Sequence, residues 1–325
     1  MIRNTYLMTM NRINYDTAYD RYCADWLTVE HFRRRNFIYK HLFSLPYQWS
    51  KQYYAKRAIQ LLSEEKDFPV LHETGNPDVV ASLTTFPFRI PSLHLVVKSL
   101  MKQDILPGKI FVCLTEQEFP SGFDSLPAEL KELVPHGVEI AFVTGNMRSH
   151  NKYFAAFKRF PDKIVITVDD DYLYPKDTIS RLMRLHRIFP EAVCANRVRE
   201  MAVKDGKFLT YHRWKRLVPE QDEESDMYVA LGWAGVLYPP RVYDDTIFDA
   251  DSFQRIAPLA DDLWLKAVQL KNKVKVAVAK GFFVHPIELS PTQKISLNHL
   301  NDRQKMNDGQ WRRLDEHFGL LKILG

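Results

Sequence analysis

A run of five β-branched residues, Ile164-Val165-Ile166-Thr167-Val168, stops in three consecutive carboxylates, Asp169-Asp170-Asp171. An apolar run without alternation suits a strand covered on both faces, as in a parallel sheet. Open α/β sheets bind ligands beyond the carboxyl ends of their strands, so the acids stand where a ligand would. Three adjacent carboxylates repel one another unless water or a cation screens them, and a divalent ion with oxygen ligands is the usual partner. The Asp-x-Asp spacing would aim Asp169 and Asp171 to one side of an extended chain and Asp170 elsewhere. The competing reading is a solvated turn, with Asp171 or Asp177 helping to start the helix after Tyr174-Pro175.

The flanking sequence favours the sheet. Val79 to Thr84, Lys109 to Leu114, Val138 to Val143 and Ile164 onward read as strands. Ile90 to Gln103, Leu126 to Val134 and Asn151 to Phe160 read as the helices between them. Such a βαβα series implies a parallel sheet with right-handed crossovers. A helix is expected over Lys176 to Phe189 and a strand over Ala192 to Arg197. From Gly206 to Met227 the repeat is lost, and a long polar loop of this kind is often a substrate lid or simply disordered. Gly232-Trp233-Ala234-Gly235-Val236-Leu237-Tyr238-Pro239-Pro240 follows. Its small residues permit close backbone approach and Trp233 offers a stacking face, unless this is only a buried strand with Trp233 in the core.

Asp261 and Asp262 open a helix running to about Lys271, where the helix dipole favours carboxylates; capping alone would also explain them. Lys273 to Ala279 reads as a last strand, with His285 beyond it as a candidate metal ligand. Leu297, Leu300, Met306, Trp311, Leu314 and Phe318 read as helical cover.

Residues 1–76 are different, rich in aromatics and arginine with apolar residues at helical spacing, and Gly75-Asn76-Pro77 marks the expected boundary with a domain of residues 77–325. Tyr22, Trp26, Phe32, Phe37, Leu42 and Phe43 would line one or two helices, and a further helix is expected from Trp49 to about Glu65. Arg33-Arg34-Arg35 with Lys40, beside Phe32 and Phe37, is either a solvated helix face packed on the main domain or a surface for anionic lipid or a partner. The net charge of +5 is mild and its basic residues are interspersed with acids, which argues against nucleic-acid binding. Three cysteines without metal-type spacing, and no apolar run of membrane length or signal-peptide type, suggest a protein on the cytoplasmic side, soluble or peripheral on the membrane.

Four blocks in order carry a resemblance: Ser82-Leu83-Thr84-Thr85-Phe86-Pro87, Thr167 to Asp171 with Tyr174-Pro175, Gly235 to Pro240, and Ala260 to Lys266. Over about residues 78 to 318 the chain resembles a bacterial group of GT-A-fold glycosyltransferases, related to the family-2 nucleotide-sugar transferases and associated with capsule and lipopolysaccharide assembly. The resemblance implies a Rossmann-like, mostly parallel sheet flanked by helices, here with an N-terminal helical extension. It also implies Asp169 facing the nucleotide ribose with Asp170 nearby, and Asp171 with Asp169 holding Mn²⁺ or Mg²⁺ on the diphosphate, completed by His285. Thr84, Thr85, Phe86 and Arg89 would lie along the nucleotide, with Lys152 near base or phosphate. Asp262 matches the usual base of inverting members, and the acid before it is Asp261 where the family has Glu; Asp261, Trp233 and Gly235 would face the acceptor.

The expected activity is therefore metal-dependent, inverting transfer of a hexose-type sugar (EC 2.4) from a nucleotide-sugar, UDP-sugar first, to a saccharide or glycolipid acceptor. A sugar nucleotidyltransferase is the rival enzyme, although such enzymes carry a glycine-rich phosphate loop after the first strand and Thr84 to Arg89 contains no glycine. A non-catalytic membrane-surface assembly module is the rival outside catalysis.

Overall fold

The computed structural model describes residues 13–34, 43–289 and 306–324. The chain divides into two compact units, one of residues 1–68 with 284–287, the other of residues 69–283 with 288–325.

In the smaller unit, helix α1 (Tyr15–Arg33) opens on Asn14, whose side chain accepts the Thr17 amide at 2.9 Å and so satisfies one of the free donors of the first turn. Helix α2 (Leu45–Glu64) carries Pro46 in its first turn, where a missing N–H costs nothing. The pair is joined by Phe32, whose ring lies 5.8 Å from Tyr47 and 6.5 Å from Phe43. Tyr15, Tyr19 and Tyr22 are buried and meet edge to face. Phe37, Leu42, Arg35 and Lys40, and near the other end Leu297 and Leu300, lie outside the described residues.

The larger unit is built on an eight-stranded sheet. Strands β1 (Asn76–Thr84), β2 (Pro107–Thr115), β3 (Val138–Val143) and β4 (Ile164–Thr167) are parallel, with β1 between β2 and β4 and β3 beyond β2. Strands β5 (Val193–Ala195), β6 (Glu223–Ser225), β7 (Val236–Tyr238) and β8 (Val276–Val278) extend it in the order β6-β8-β5-β7-β4-β1-β2-β3. The expected mostly parallel sheet flanked by helices is thus present. Two strands depart from the parallel arrangement: β7 runs antiparallel between β4 and β5, and β6 runs antiparallel to β8 at the edge. Helix α3 (Ile90–Leu100) buries Leu93, Val96, Val97 and Leu100, the apolar side expected from its periodicity. Helices α4 (Asn151–Arg159), α5 (Thr178–Ile188), α6 (Asp261–Lys271) and α7 (Met306–Phe318) follow.

The segment from Gly206 to Met227 is neither disordered nor a free lid. Trp214 is buried, donates its indole N–H to the Leu209 carbonyl at 2.9 Å and meets Trp311 edge to face at 5.2 Å. Further on, β6 pairs antiparallel with β8 at the edge of the sheet. Composition alone reads this stretch as a loop because its strands are two or three residues long and its anchor is a single tryptophan. Cys113 and Cys194 are buried free thiols, and burial pushes both up to about 12.

A buried cation in α6 is poorly compensated. Lys266, in the middle of α6, is fully buried, its ammonium nitrogen makes no hydrogen bond, and burial pushes it down to about 7 against the weaker pull of Asp226. The unfolded chain then binds more protons than the folded one between about pH 7 and the free-lysine value, so this group lets stability rise with pH across that window and imposes its full cost below it. Lys266→Met should therefore raise stability by a few kcal/mol, roughly, at pH 6.5 and by clearly less at pH 9, as read from urea unfolding at both pH values. An equal effect at both pH values would show that the ammonium finds a partner in the folded state.

Candidate active site

Strand β4 stops at Thr167 and the chain turns at Asp170–Asp171, so the alternation of an extended strand does not govern the three acids. They are sorted instead by two cations. Arg89, just before α3, reaches Asp170 Oδ1 at 2.5 Å and Asp171 Oδ2 at 3.0 Å. Thr85 donates its hydroxyl to the other oxygen of Asp170 at 2.5 Å, and the Arg89 guanidinium lies 5.4 Å over the Phe86 ring. Asp170 is thereby turned inward onto the loop after β1. Asp169, the most exposed of the three carboxylates, meets Lys152 at 2.7 Å, while its backbone N–H donates to the Tyr174 hydroxyl at 2.8 Å.

Lys152 links this tip to a second acidic pair. Its ammonium also lies 2.8 Å from Asp261 Oδ2, at the start of α6. The neighbouring Asp262 turns to the backbone of Gly232, whose N–H is 3.2 and 3.1 Å from the two carboxylate oxygens. A Cβ at Gly232 would stand 2.8 Å from Asp262 Oδ1 and 3.0 Å from the Lys152 nitrogen, so a side chain there would push against the tips of both groups. Ser82 fixes the start of α4 by donating its hydroxyl to the Lys152 carbonyl at 2.5 Å. His150 fixes the preceding turn: it is buried, stacked at 4.2 Å on Phe253, and bonded through Nε2 to the Ala257 carbonyl and through Nδ1 to the Tyr153 hydroxyl, each at 2.9 Å. Burial pushes it down to about 4, so it is a neutral ring donating from Nε2 and accepting at Nδ1.

The electrostatics separate the acids into unlike members. Burial is the largest influence on Asp261 and would raise it, but Lys152 together with the other neighbouring groups holds the carboxyl below its free value. Asp262, half-buried, is pushed up to about 7 by desolvation and then by the ionised Asp261 beside it, with Lys152 restraining the rise. Asp171 is likewise raised to about 7, first by burial and then by Asp169, Asp170 and Glu288, against the pull of Arg89. Burial opposes the charge on both cations, yet the facing carboxylates keep Arg89 and Lys152 firmly protonated. Five carboxylates gather around two cations, and the two raised acids express that shortage of positive charge. A divalent cation suits such an all-oxygen donor set. Among the described residues no group of three or more His, Cys, Asp or Glu side chains converges closely enough to hold a metal ion as it stands.

Most residues singled out in the sequence gather in this region. Thr85, Phe86, Arg89, Lys152, Asp169, Asp170 and Asp171 belong to the strand-tip cluster, and Asp261 and Asp262 adjoin it through Lys152. Thr84 is at the end of β1, but its hydroxyl donates to the Cys113 carbonyl at 2.7 Å, a bond within the sheet. Trp233 is half-buried, 6.1 Å from the Tyr172 ring. Gly235 has φ +87° and packs against Thr178 and Asn196. His285 falls in the smaller unit, where its Nδ1 lies 3.0 Å from the Pro286 carbonyl and its own carbonyl accepts the Tyr22 hydroxyl at 2.8 Å. His150 and Gly232 have no role in the sequence reading: a lone histidine before a helix carries no signal, and Gly232 was only one small residue among several.

No family model and no curated protein matches the sequence. Solved structures of similar fold include S. aureus TarS residues 1–349 in complex with UDP, at 14% identity over 76% of this chain and 70% of that one, with a TM-score of 0.43. A mannosyltransferase from Pyrobaculum calidifontis in complex with GDP-Man and Mn²⁺ is 14% identical over 93% of this chain and 80% of that one, with a TM-score of 0.41. The 4-diphosphocytidyl-2C-methyl-D-erythritol synthase of Anaerococcus prevotii is 10% identical over 70% of this chain and 99% of that one, also with a TM-score of 0.41. Transferases of sugars and of nucleotides are thus both among the chains of similar fold, and the likeness concerns fold alone.

Lys152→Met should leave the buried Asp261 and the half-buried Asp262 together without a cation, at a cost of about 3–5 kcal/mol at pH 8. That cost should shrink toward pH 5, because the two carboxyls of the variant protonate more readily than those of its unfolded chain. Urea unfolding at the two pH values measures it, and a loss independent of pH would mean that Lys152 acts by packing alone.

Proposed function

We propose that the larger unit is a metal-dependent glycosyltransferase that moves a sugar, with inversion, from a nucleotide-sugar to a hydroxyl of a saccharide or glycolipid in surface-polysaccharide assembly. UDP-sugar is the favoured donor class. The observation that carries the reading is the unlike placement of Asp261 and Asp262: Asp261 Oδ2 lies 2.8 Å from the Lys152 ammonium, which holds that carboxyl low, while Asp262 faces the Gly232 amide and is pushed up to about 7. A pair of acids pushed apart in this way supplies a base matched to neutral pH.

In this reading the acceptor hydroxyl gives its proton to Asp262 as its oxygen bonds to the anomeric carbon, and the bond from that carbon to the diphosphate oxygen breaks with its electron pair leaving on the nucleotide. Asp262 is aimed by the Gly232 amide and kept apart from Lys152's direct partners, so it remains available to a proton. Asp169 and Asp171 would hold the divalent cation, Mn²⁺ or Mg²⁺, which when bound supplies Lewis-acid stabilisation of the departing diphosphate. Arg89 holds Asp170 and Asp171 in place and, with Thr85 and Phe86, forms the side of the tip along which the nucleotide would lie. The backbone there offers no glycine-rich phosphate cradle between Thr84 and Arg89, which favours sugar transfer over nucleotidyl transfer.

Nucleotide release from UDP-, GDP-, CMP- and dTDP-sugars, with Mn²⁺, Mg²⁺ or EDTA, tests this directly. One donor class should be hydrolysed in a metal-dependent manner, and Asp171→Asn should lose that hydrolysis. Asp262→Asn should lower transfer by about 10²–10⁴-fold while leaving donor affinity within roughly threefold. Pyrophosphate release from a nucleoside triphosphate and a sugar phosphate would establish nucleotidyl transfer instead, and absence of binding to every donor would remove the enzyme reading.

A further inference from the structure

Helix α2 of the smaller unit carries apolar side chains that are exposed. Leu45, Trp49, Tyr53, Lys56 and Gln60 recur at spacings of three and four and share one side, while Ala58 and Leu62 are buried on the other. Trp49 is 74% exposed and Tyr53 58%, values unusual for the two largest aromatic side chains of a stable helix. Phe43, just before α2, is 54% exposed; Tyr47, 39% exposed, projects from the Ala58 and Leu62 side of the helix. Phe32 ties that end to the last turn of α1, which carries the exposed Arg33 and Arg34.

Charge decides what such a face would meet. Residues 1–68 contain eleven Lys and Arg against seven Asp and Glu, so nearly all of the chain's net +5 resides there. On α2, Lys56 extends along the Trp49 and Tyr53 side with Arg57 next to it, and the first acid of the helix, Glu64, comes about four turns after Trp49. A second copy of this chain would set Lys56, Arg57, Arg33 and Arg34 against their own equivalents. An anionic lipid surface answers both features at once: Trp and Tyr settle at the headgroup level, and flanking Lys and Arg reach the phosphates.

We infer that this aromatic and basic side of α2, together with the last turn of α1, is a peripheral docking surface for an anionic membrane. The helix lies along the interface and does not cross it; among the described residues no helix is long and apolar enough to span a bilayer. The surface gives the membrane contact a location distinct from the Arg33-Arg34-Arg35 cluster alone: the aromatic side chains supply the apolar burial and the cations the preference for anionic headgroups. It stands apart from the chemistry of the strand tip and does not depend on the donor.

The test is sedimentation of the full chain with vesicles of phosphatidylcholine alone and of phosphatidylcholine with 30% phosphatidylglycerol, at low and high salt. The protein should bind the anionic vesicles, lose roughly tenfold or more affinity in Trp49→Ser/Tyr53→Ser, and lose about thirtyfold in Lys56→Gln/Arg57→Gln. Half-molar salt should weaken binding in the same direction. Far-UV circular dichroism of the variants, with donor hydrolysis measured in detergent-free solution, should match the unsubstituted protein; these positions lie outside the strand-tip cluster. Equal binding to both vesicle types, or none to either, overturns the inference. A concentration-dependent dimer abolished by Trp49→Ser/Tyr53→Ser would instead make the face a contact between copies, and a protein that binds vesicles but hydrolyses no donor would refute the transfer reading while leaving this one intact.

Discussion

The geometry of the site depends on one ammonium group. Lys152 is almost completely buried, and its nitrogen lies within 2.8 Å of carboxylates from two separate elements, Asp169 after β4 and Asp261 at the start of α6. Neither element could bring its acid into the other's vicinity without it, because a buried carboxylate pair repels and loses its hydration. The lysine is itself delivered by a short chain of neutral contacts. Ser82 bonds its carbonyl, and His150, stacked on Phe253, pins the turn before its helix. A neutral, fully bonded histidine is a suitable brace, since it fixes geometry without adding a charge to an already unbalanced cluster.

The same ammonium explains why two adjacent aspartates behave differently. Asp261 touches the cation and is held low; Asp262 faces a backbone amide and is pushed to about 7. The helix dipole acts on both members of the first turn, so it cannot distinguish them. The distinction comes from contact, and a side chain at Gly232 would push against the tips of Asp262 and Lys152.

How much of this was legible follows from how local each signal is. The run Ile164 to Val168, most of the alternation from Val79 to Phe160 and the acidic start of α6 are properties of a few consecutive residues and correspond to the elements expected from them, whereas the helix expected over Leu126 to Val134 is a single turn, Ala128–Lys131. The acids' partners were legible only in part. Arg89 and Lys152 stood out beside the motifs, but nothing in spacing says that Arg89 grips Asp170 and Asp171 or that Lys152 bridges two acids about a hundred residues apart. Alternation holds only while the chain stays extended, and here the strand ends at Thr167, so spacing alone does not orient the three acids. Likewise β7 is a plain apolar run whose antiparallel direction depends on which strands flank it. The Gly206–Met227 segment shows the complementary failure: polar composition outvoted Trp214, although one buried tryptophan is enough to anchor a stretch of that length.

Comparing two of the buried lysines, Lys152 and Lys266, separates stability from function. Both are enclosed, so desolvation works against both charges by a similar mechanism. Lys152 has carboxylates at contact distance and keeps its proton; Lys266, one helical turn after Asp262, has the pull of Asp226 alone against burial and is driven toward neutrality. Burial alone therefore predicts neither a lysine's charge nor its purpose. What marks Lys152 as part of a site is that removing it would strand several acids at once, whereas removing Lys266 would strand none. By that criterion the strand tip, Lys152 and the first turn of α6 form a single electrostatic unit, and any ligand that brings positive charge to it acts on the whole unit and not on one carboxylate.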